Sequence, residues 1–118
     1  MLISKQFTFE AAHRLPYVPE GHKCGRLHGH SFRIEVFVSG VPQQDTGWIV
    51  DYAEIGSAVA PIIAMLDHNY LNEIPGLENP TSEILAMWIW SRLREPLPGL
   101  ARIIVQETCN SSCIYEGD

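Results

Sequence analysis

The stretch Cys24-Gly25-Arg26-Leu27-His28-Gly29-His30 places a thiol and two imidazoles within seven residues. It runs straight into an alternating apolar row, Phe32, Ile34, Val36 and Val38. In extended chain, residues two apart share a face, so His28 and His30 stand side by side on the face of that row. Two adjacent imidazoles on an apolar face have few common partners other than a metal ion, and Gly29 lets the backbone crowd close to it. His13 falls on the parity of Phe7, Phe9 and Ala11 in an earlier run and is the candidate third ligand. Zinc held by three imidazoles keeps a fourth position for water or substrate, whereas structural zinc closes all four, usually with thiolates. The plainer alternative is three separately satisfied polar side chains in a sheet. The i, i+2 spacing with a third ring on a neighbouring strand weighs against it. His22 lacks such spacing and stays outside the set.

Four further groups could take part. As a fourth ligand, Cys24 would close the site. Left free beside a metal and near Lys23 or Arg26, its thiol pKa would drop, making it a base or nucleophile near neutrality. A small buried hydrophobe is the remaining possibility. Asp67 and His68 are adjacent polar groups at a helix end, where an Asp orienting an imidazole near a thiol forms a proton relay. A cationic His68 favoured by the helix C-terminus explains the pair equally well. Glu107 shares parity with Ile103 and Val105, so a carboxylate stands where the pattern calls for an apolar residue. Buried, it needs a partner, and a planar guanidine-like edge would pair with it bidentately. The alternative is a solvent-exposed strand end. Arg14, Lys23 and Arg26 flank the histidines and could form one positive pocket on an acidic molecule. Cys109 and Cys113 have no His or further Cys to complete a ligand set and read as structural thiols.

The elements that must position these groups follow from periodicity. Leu2 to His13 alternates as a strand, and a loop marked by Pro16, Pro19, Gly21 and Gly25 carries Cys24. A second strand runs from about His28 to Ser39, and Gly47-Trp48-Ile49-Val50 looks like a third, hairpinned to it. Asp51 and Glu54 have capping-box spacing ahead of Tyr52, Ile55, Val59, Ile62, Ile63 and Leu66, which recur with helical period. Pro61 should kink or shorten that helix. Asn79-Pro80-Thr81 opens a second helix with the stripe Ile84, Leu85, Trp88, Ile89 and Leu93, and Pro96 and Pro98-Gly99 stop it. Arg102 to Thr108 is a strand, and a short return strand lies around Cys113-Ile114-Tyr115. The expected class is α+β, a four-stranded, largely antiparallel sheet with two helices on one face, in a single domain spanning residues 1–118. The sheet's other face is expected to carry apolar residues such as Phe32 and Val36, open to a partner subunit.

Composition narrows the function classes. The chain has 118 residues, 46% of them hydrophobic and 19% charged, ordinary for a globular domain that buries about two-thirds of its surface. A net charge of −6 without a basic run argues against nucleic acid or an anionic membrane as partner. No run is apolar and long enough to cross a bilayer and the N-terminus lacks a signal pattern, so a cytoplasmic location is expected. Three cysteines cannot all pair within one chain, which suits metal ligation or thiol chemistry in a reducing compartment.

The assembled segments resemble the 6-pyruvoyl-tetrahydropterin synthase family over nearly the whole chain. They are Phe-Thr-Phe-Glu-Ala-Ala-His at 7–13, the Cys24–His30 segment, Leu-Asp-His-Asn-Tyr-Leu-Asn at 66–72, Asn-Pro-Thr-Ser-Glu at 79–83 and Glu-Thr at 107–108. The short Cys-x3-His-x-His spacing is similar to the carboxy-forming bacterial branch. The resemblance implies zinc on His13, His28 and His30, Cys24 as the proton-abstracting base, and Asp67 with His68 completing a relay. It implies that Glu107, assisted by Thr108, anchors a pterin through its amino-pyrimidine edge; Arg14, Lys23 and Arg26 are the candidate triphosphate contacts. The implied reaction converts 7,8-dihydroneopterin triphosphate to 6-carboxy-5,6,7,8-tetrahydropterin with release of acetaldehyde and triphosphate, on the 7-deazaguanine route to queuosine. The implied fold is the tunnelling fold, with subunit sheets joined into a barrel in a homo-oligomer, commonly a hexamer of two stacked trimers.

Overall fold

A computed structural model describes residues 1–108 and 110–118, so the reading of Cys109 lies outside the described residues. Strand β1 spans Leu2–His13 and β2 spans His28–Ser39. Helices α1, Tyr52–Leu66, and α2, Ser82–Leu93, follow, and strands β3, Leu100–Glu107, and β4, Ser111–Tyr115, end the chain. All neighbouring strands pair antiparallel in the order β1-β2-β3-β4. The fold is the expected four-stranded antiparallel sheet with two helices.

Side-chain alternation along the strands builds one buried face. Phe9 and Ala11 of β1, Phe32, Ile34, Val36 and Val38 of β2, and Ile103 and Val105 of β3 are buried together. Against them pack Ile55, Val59, Ile62 and Leu66 of α1 and Leu85, Ala86, Trp88, Ile89 and Leu93 of α2. Register holds this face in line: Phe7 opposes Ile34, Phe9 opposes Phe32, and Ile34 opposes Val105. Phe9 and Phe32 stack with centroids 4.9 Å apart. Such cross-strand pairs resist a slip of one residue, which would turn the whole set to the other face.

Three expectations need correction. Residues 47–50 form no strand; Gly47 donates to the Gln43 carbonyl and Gln43 to the Trp48 carbonyl, closing a turn in the connection to α1. The physical reason lies in the sheet. One edge of β2 is taken by β1 and the other by β3 from Phe32 to Val38, leaving no ladder for a hairpin. Ile49 packs instead on Gly40, where a Cβ would lie 2.8 Å from its Cγ2. Phe32 and Val36 are not on the second face either; they lie under the helices. The opposite face presents Thr8, Arg33, Glu35 and Gln106, with Ser4 donating to Glu35 at 2.7 Å and Arg102 over Phe37. Of the two effects expected of Pro61, shortening does not occur: α1 runs on to Leu66, with Pro61 exposed and its missing hydrogen bond on the solvent side.

The helix starts are capped as the sequence indicates. Asp51 accepts from the Ala53 N–H at 2.9 Å, and Thr81 accepts from the Ile84 N–H at 3.2 Å. The second cap fixes the place of Pro80, which the candidate site uses. Among the described residues, no helix is long and apolar enough to cross a membrane.

Candidate active site

The end of the sheet where β1 stops and β2 begins carries the three imidazoles. His13 opposes His28, and His30 opposes Ala11, so the antiparallel register alone brings the three rings to one place. Their centroids are 4.7 to 5.0 Å apart, with Phe32 against the edges of His13 and His30. One nitrogen from each ring can be chosen so that all three lie within 4.8 Å of one another.

Hydrogen bonds decide which nitrogens face inward. His13 Nδ1 meets the Pro80 carbonyl at 2.9 Å and His28 Nδ1 meets the Arg26 carbonyl at 2.6 Å. A carbonyl only accepts, so each Nδ1 carries the proton and each Nε2 keeps its lone pair. His30 Nδ1 lies 3.0 Å from Thr108 Oγ1. This is the arrangement by which outer partners orient metal-binding imidazoles. His13 Nε2 is buried and has no hydrogen-bond partner. An orphaned lone pair of this kind is costly unless something binds it, so the donor set fits a divalent metal. Burial pushes the His13 pKa down to about 4 against the pull of the Pro80 carbonyl, with His28 and His30 adding to the fall. Burial and His28 lower His30 as well. Neutral imidazoles are the form that ligates metal.

Glu107 ends β3 opposite Phe32, with Oε2 3.8 Å from His30 Nε2. Burial raises its carboxyl pKa; His28 opposes the rise and Glu83 adds to it. Burial thus works against the charged form of both Glu107 and His30. Thr108 N–H donates to the Ser31 carbonyl at 3.0 Å while its hydroxyl serves His30, so the Glu107-Thr108 pair is tied to β2 by both chain and side chain.

Cys24 sits in a 3-10 turn, Lys23–Gly25, as a half-buried free thiol outside the imidazole cluster. Asp67 and His68 do pair, Oδ2 to Nδ1 at 3.0 Å. Asp67 also accepts from the Glu10 N–H at 2.9 Å, and His68 N–H donates to the Glu10 carbonyl, so the dyad is bolted to β1. The Glu10 bond, then His68, hold the Asp67 pKa below its usual value. His68 adopts φ of 58°, a left-handed conformation that a non-glycine residue holds only where its surroundings enforce it. Its side chain opens on a cleft of about 610 Å³ lined also by Glu10, His30, Ser31 and Thr108. Arg14 and Arg26 line a cavity of about 360 Å³ in the Cys24 loop, and Lys23 is exposed on the turn of the same loop.

The profile of the 6-pyruvoyl tetrahydropterin synthase family matches residues 2–118. The chain belongs to that family. It is 46% identical to the 6-carboxy-5,6,7,8-tetrahydropterin synthase of Synechocystis sp., over 97% of this chain and 92% of that protein. It is 37% identical to the dihydroneopterin monophosphate aldolase of Pyrococcus furiosus, over 78% and 74% of the two chains. The solved 6-pyruvoyl tetrahydropterin synthase of Caenorhabditis elegans superposes with a TM-score of 0.91 at 22% identity, covering 100% of this chain and 96% of that one, and so shares the fold.

Two contributions to this family member's site were not assigned from the sequence. The Pro80 carbonyl orients His13 from 67 residues away, a backbone role that no residue type announces. Glu83 acts electrostatically on Glu107, yet its place in the first turn of α2 reads equally as a helix-dipole acid.

Proposed function

We propose that this chain is a zinc-dependent carbon–carbon lyase that converts 7,8-dihydroneopterin triphosphate to 6-carboxy-5,6,7,8-tetrahydropterin, releasing acetaldehyde and triphosphate, in queuosine biosynthesis. The observation that carries the reading is the convergence of three pre-oriented imidazoles on an orphaned, buried Nε2. The identity to the Synechocystis relative supports the choice of product. His13, His28 and His30 hold the metal, which supplies, when bound, a Lewis acid for the side-chain oxygens of the substrate. Glu107 takes the guanidine-like edge of the pterin through a charge-assisted pair, with Thr108 beside it. Cys24 removes the side-chain proton, and His68, oriented by Asp67, relays it. Arg14, Lys23 and Arg26 meet the triphosphate.

In one chain Cys24 lines neither the His68 cleft nor the Asp67–His68 contact. We infer that the relay is completed by the dyad of a neighbouring copy in a homo-oligomer, the hexamer of two stacked trimers that the family resemblance implies. The deciding experiment incubates the zinc-loaded protein with 7,8-dihydroneopterin triphosphate and follows the pterin by mass spectrometry. A 6-carboxy product with one equivalent of acetaldehyde is expected. An intact three-carbon pyruvoyl side chain, or an aldol cleavage that leaves the phosphate ester whole, overturns the assignment.

A further inference from the structure

We propose that His22 is the positioning residue of Cys24. The inference rests on the role given to Cys24 above and concerns the loop that carries it. His22 has extended backbone angles and caps the Lys23–Gly25 turn, its Nδ1 accepting the Cys24 N–H at 3.1 Å. The Cys24 carbonyl accepts from the Leu15 N–H at 2.8 Å. Both polar groups of the Cys24 peptide are therefore held, one by the His22 ring and the other two residues beyond His13. The rest of the loop locks the cap in place. His22 N–H donates to the Pro19 carbonyl and Gly25 N–H to the His22 carbonyl, both at 3.0 Å. Arg26 N–H donates to the Lys23 carbonyl at 3.2 Å, and the Arg26 carbonyl in turn receives His28 Nδ1. A continuous run of bonds thus leads from His22 through the cysteine turn to a ring of the candidate metal site.

A single 3-10 turn has strained hydrogen-bond geometry and little of its own to hold it, so its cap carries a large share of its order. Accepting at Nδ1 requires the His22 tautomer with its proton on Nε2. Nδ1 stands one bond from Cγ, as does Oδ1 of asparagine, so Asn can accept the same N–H. Leucine fills the space and cannot.

The test uses the full-length zinc-loaded protein with His22→Leu and His22→Asn. Turnover, metal content, and the rate of Cys24 alkylation by iodoacetamide, resolved by peptide mass spectrometry, are measured for each. His22→Leu is expected to lower kcat about tenfold with KM within about twofold, since an acceptor is lost at the base and not at the substrate. Metal content stays at the parental value, and alkylation quickens severalfold as the half-buried thiol loosens. His22→Asn returns kcat and alkylation toward the parental values. The proposal is overturned if His22→Leu changes neither readout, if it sheds metal along with turnover, or if His22→Asn falls as far as His22→Leu. Should Cys24→Ala keep full turnover, the cysteine loses its catalytic role, and the alkylation comparison still decides whether His22 places it.

Discussion

The two ends of the Cys24–His30 stretch are held in different ways. His28 and His30 lie in a ladder, opposite His13 and Ala11, and every ring in the cluster has an oxygen on its Nδ1 from a different part of the chain. Cys24, four residues before His28, sits on a 3-10 turn held by its own loop. The donor set is pre-organised by the sheet, as a metal site demands. The thiol rides on a segment outside the strand ladder. Metal binding and proton transfer should therefore be separable by substitution, although the residues are neighbours in sequence.

The strongest way to break this contrast is to remove one group from each side. His13→Ala leaves two rings, and zinc affinity should fall by more than about 100-fold, beyond the usual loss of an outer-shell partner. Metal retained after dialysis against a chelator reads it directly. Cys24→Ala should keep one zinc per chain while kcat drops by about 10²–10⁴, the range for a lost general base. Zinc lost with the Cys24 side chain would make the sulfur a fourth ligand and the site structural.

Acid tests the ladder side alone. A His with a folded pKa below its unfolded one leaves the unfolded chain holding more protons. Its stability is then present above the ordinary 6.5 and lost as pH falls through about 4. For His13 the loss across that window is on the order of 3 kcal/mol, and His30 adds in the same direction. Glu107, raised by burial, works the other way, since its stability is full at low pH and lost as pH rises through its raised value. The urea midpoint of the metal-free protein should fall from pH 6.5 toward 4. A flat midpoint would mean that the rings are not buried together.

The contrast also separates what the sequence made legible from what it did not. Parity placed His13, His28 and His30 on the core face because side-chain alternation is a property of extended backbone, independent of distant partners. Glu107 was legible as a polar break in the Ile103, Val105 row. The misread strand at Gly47–Val50 shows the opposite case. A short apolar run carries local strand character, but only the sheet determines whether an edge is vacant, and β3 had taken it. The placing of Phe32 and Val36 on an open face failed for a similar reason, since their parity is that of His28 and His30 and the helices cover it. Nor could spacing disclose that Arg14 and Arg26, twelve residues apart, line one cavity.

A smaller effect sharpens the site on its substrate side. Glu107→Gln exchanges a charge-assisted bond for a neutral one worth about half as much, so pterin affinity should fall roughly tenfold with zinc content unchanged. Calorimetric titration with an unreactive pterin reads it, and unchanged affinity would remove Glu107 from the ring-binding role.

The smallest change falls on Thr108, which stands between the two sides. Valine has nearly the same shape and branching, so Thr108→Val leaves the backbone as it is and deletes only the hydroxyl 3.0 Å from His30 Nδ1. His13 and His28 keep their carbonyl partners, so two of the three lone pairs stay aimed. Zinc affinity should drop by no more than about tenfold, the lower end for an outer-shell partner, and Thr108→Ser should restore it. With saturating zinc, KM then tells which neighbour the hydroxyl serves. A parental KM means that Thr108 acts through His30 alone, whereas a raised KM that Ser also repairs means the same oxygen reaches the pterin beside Glu107.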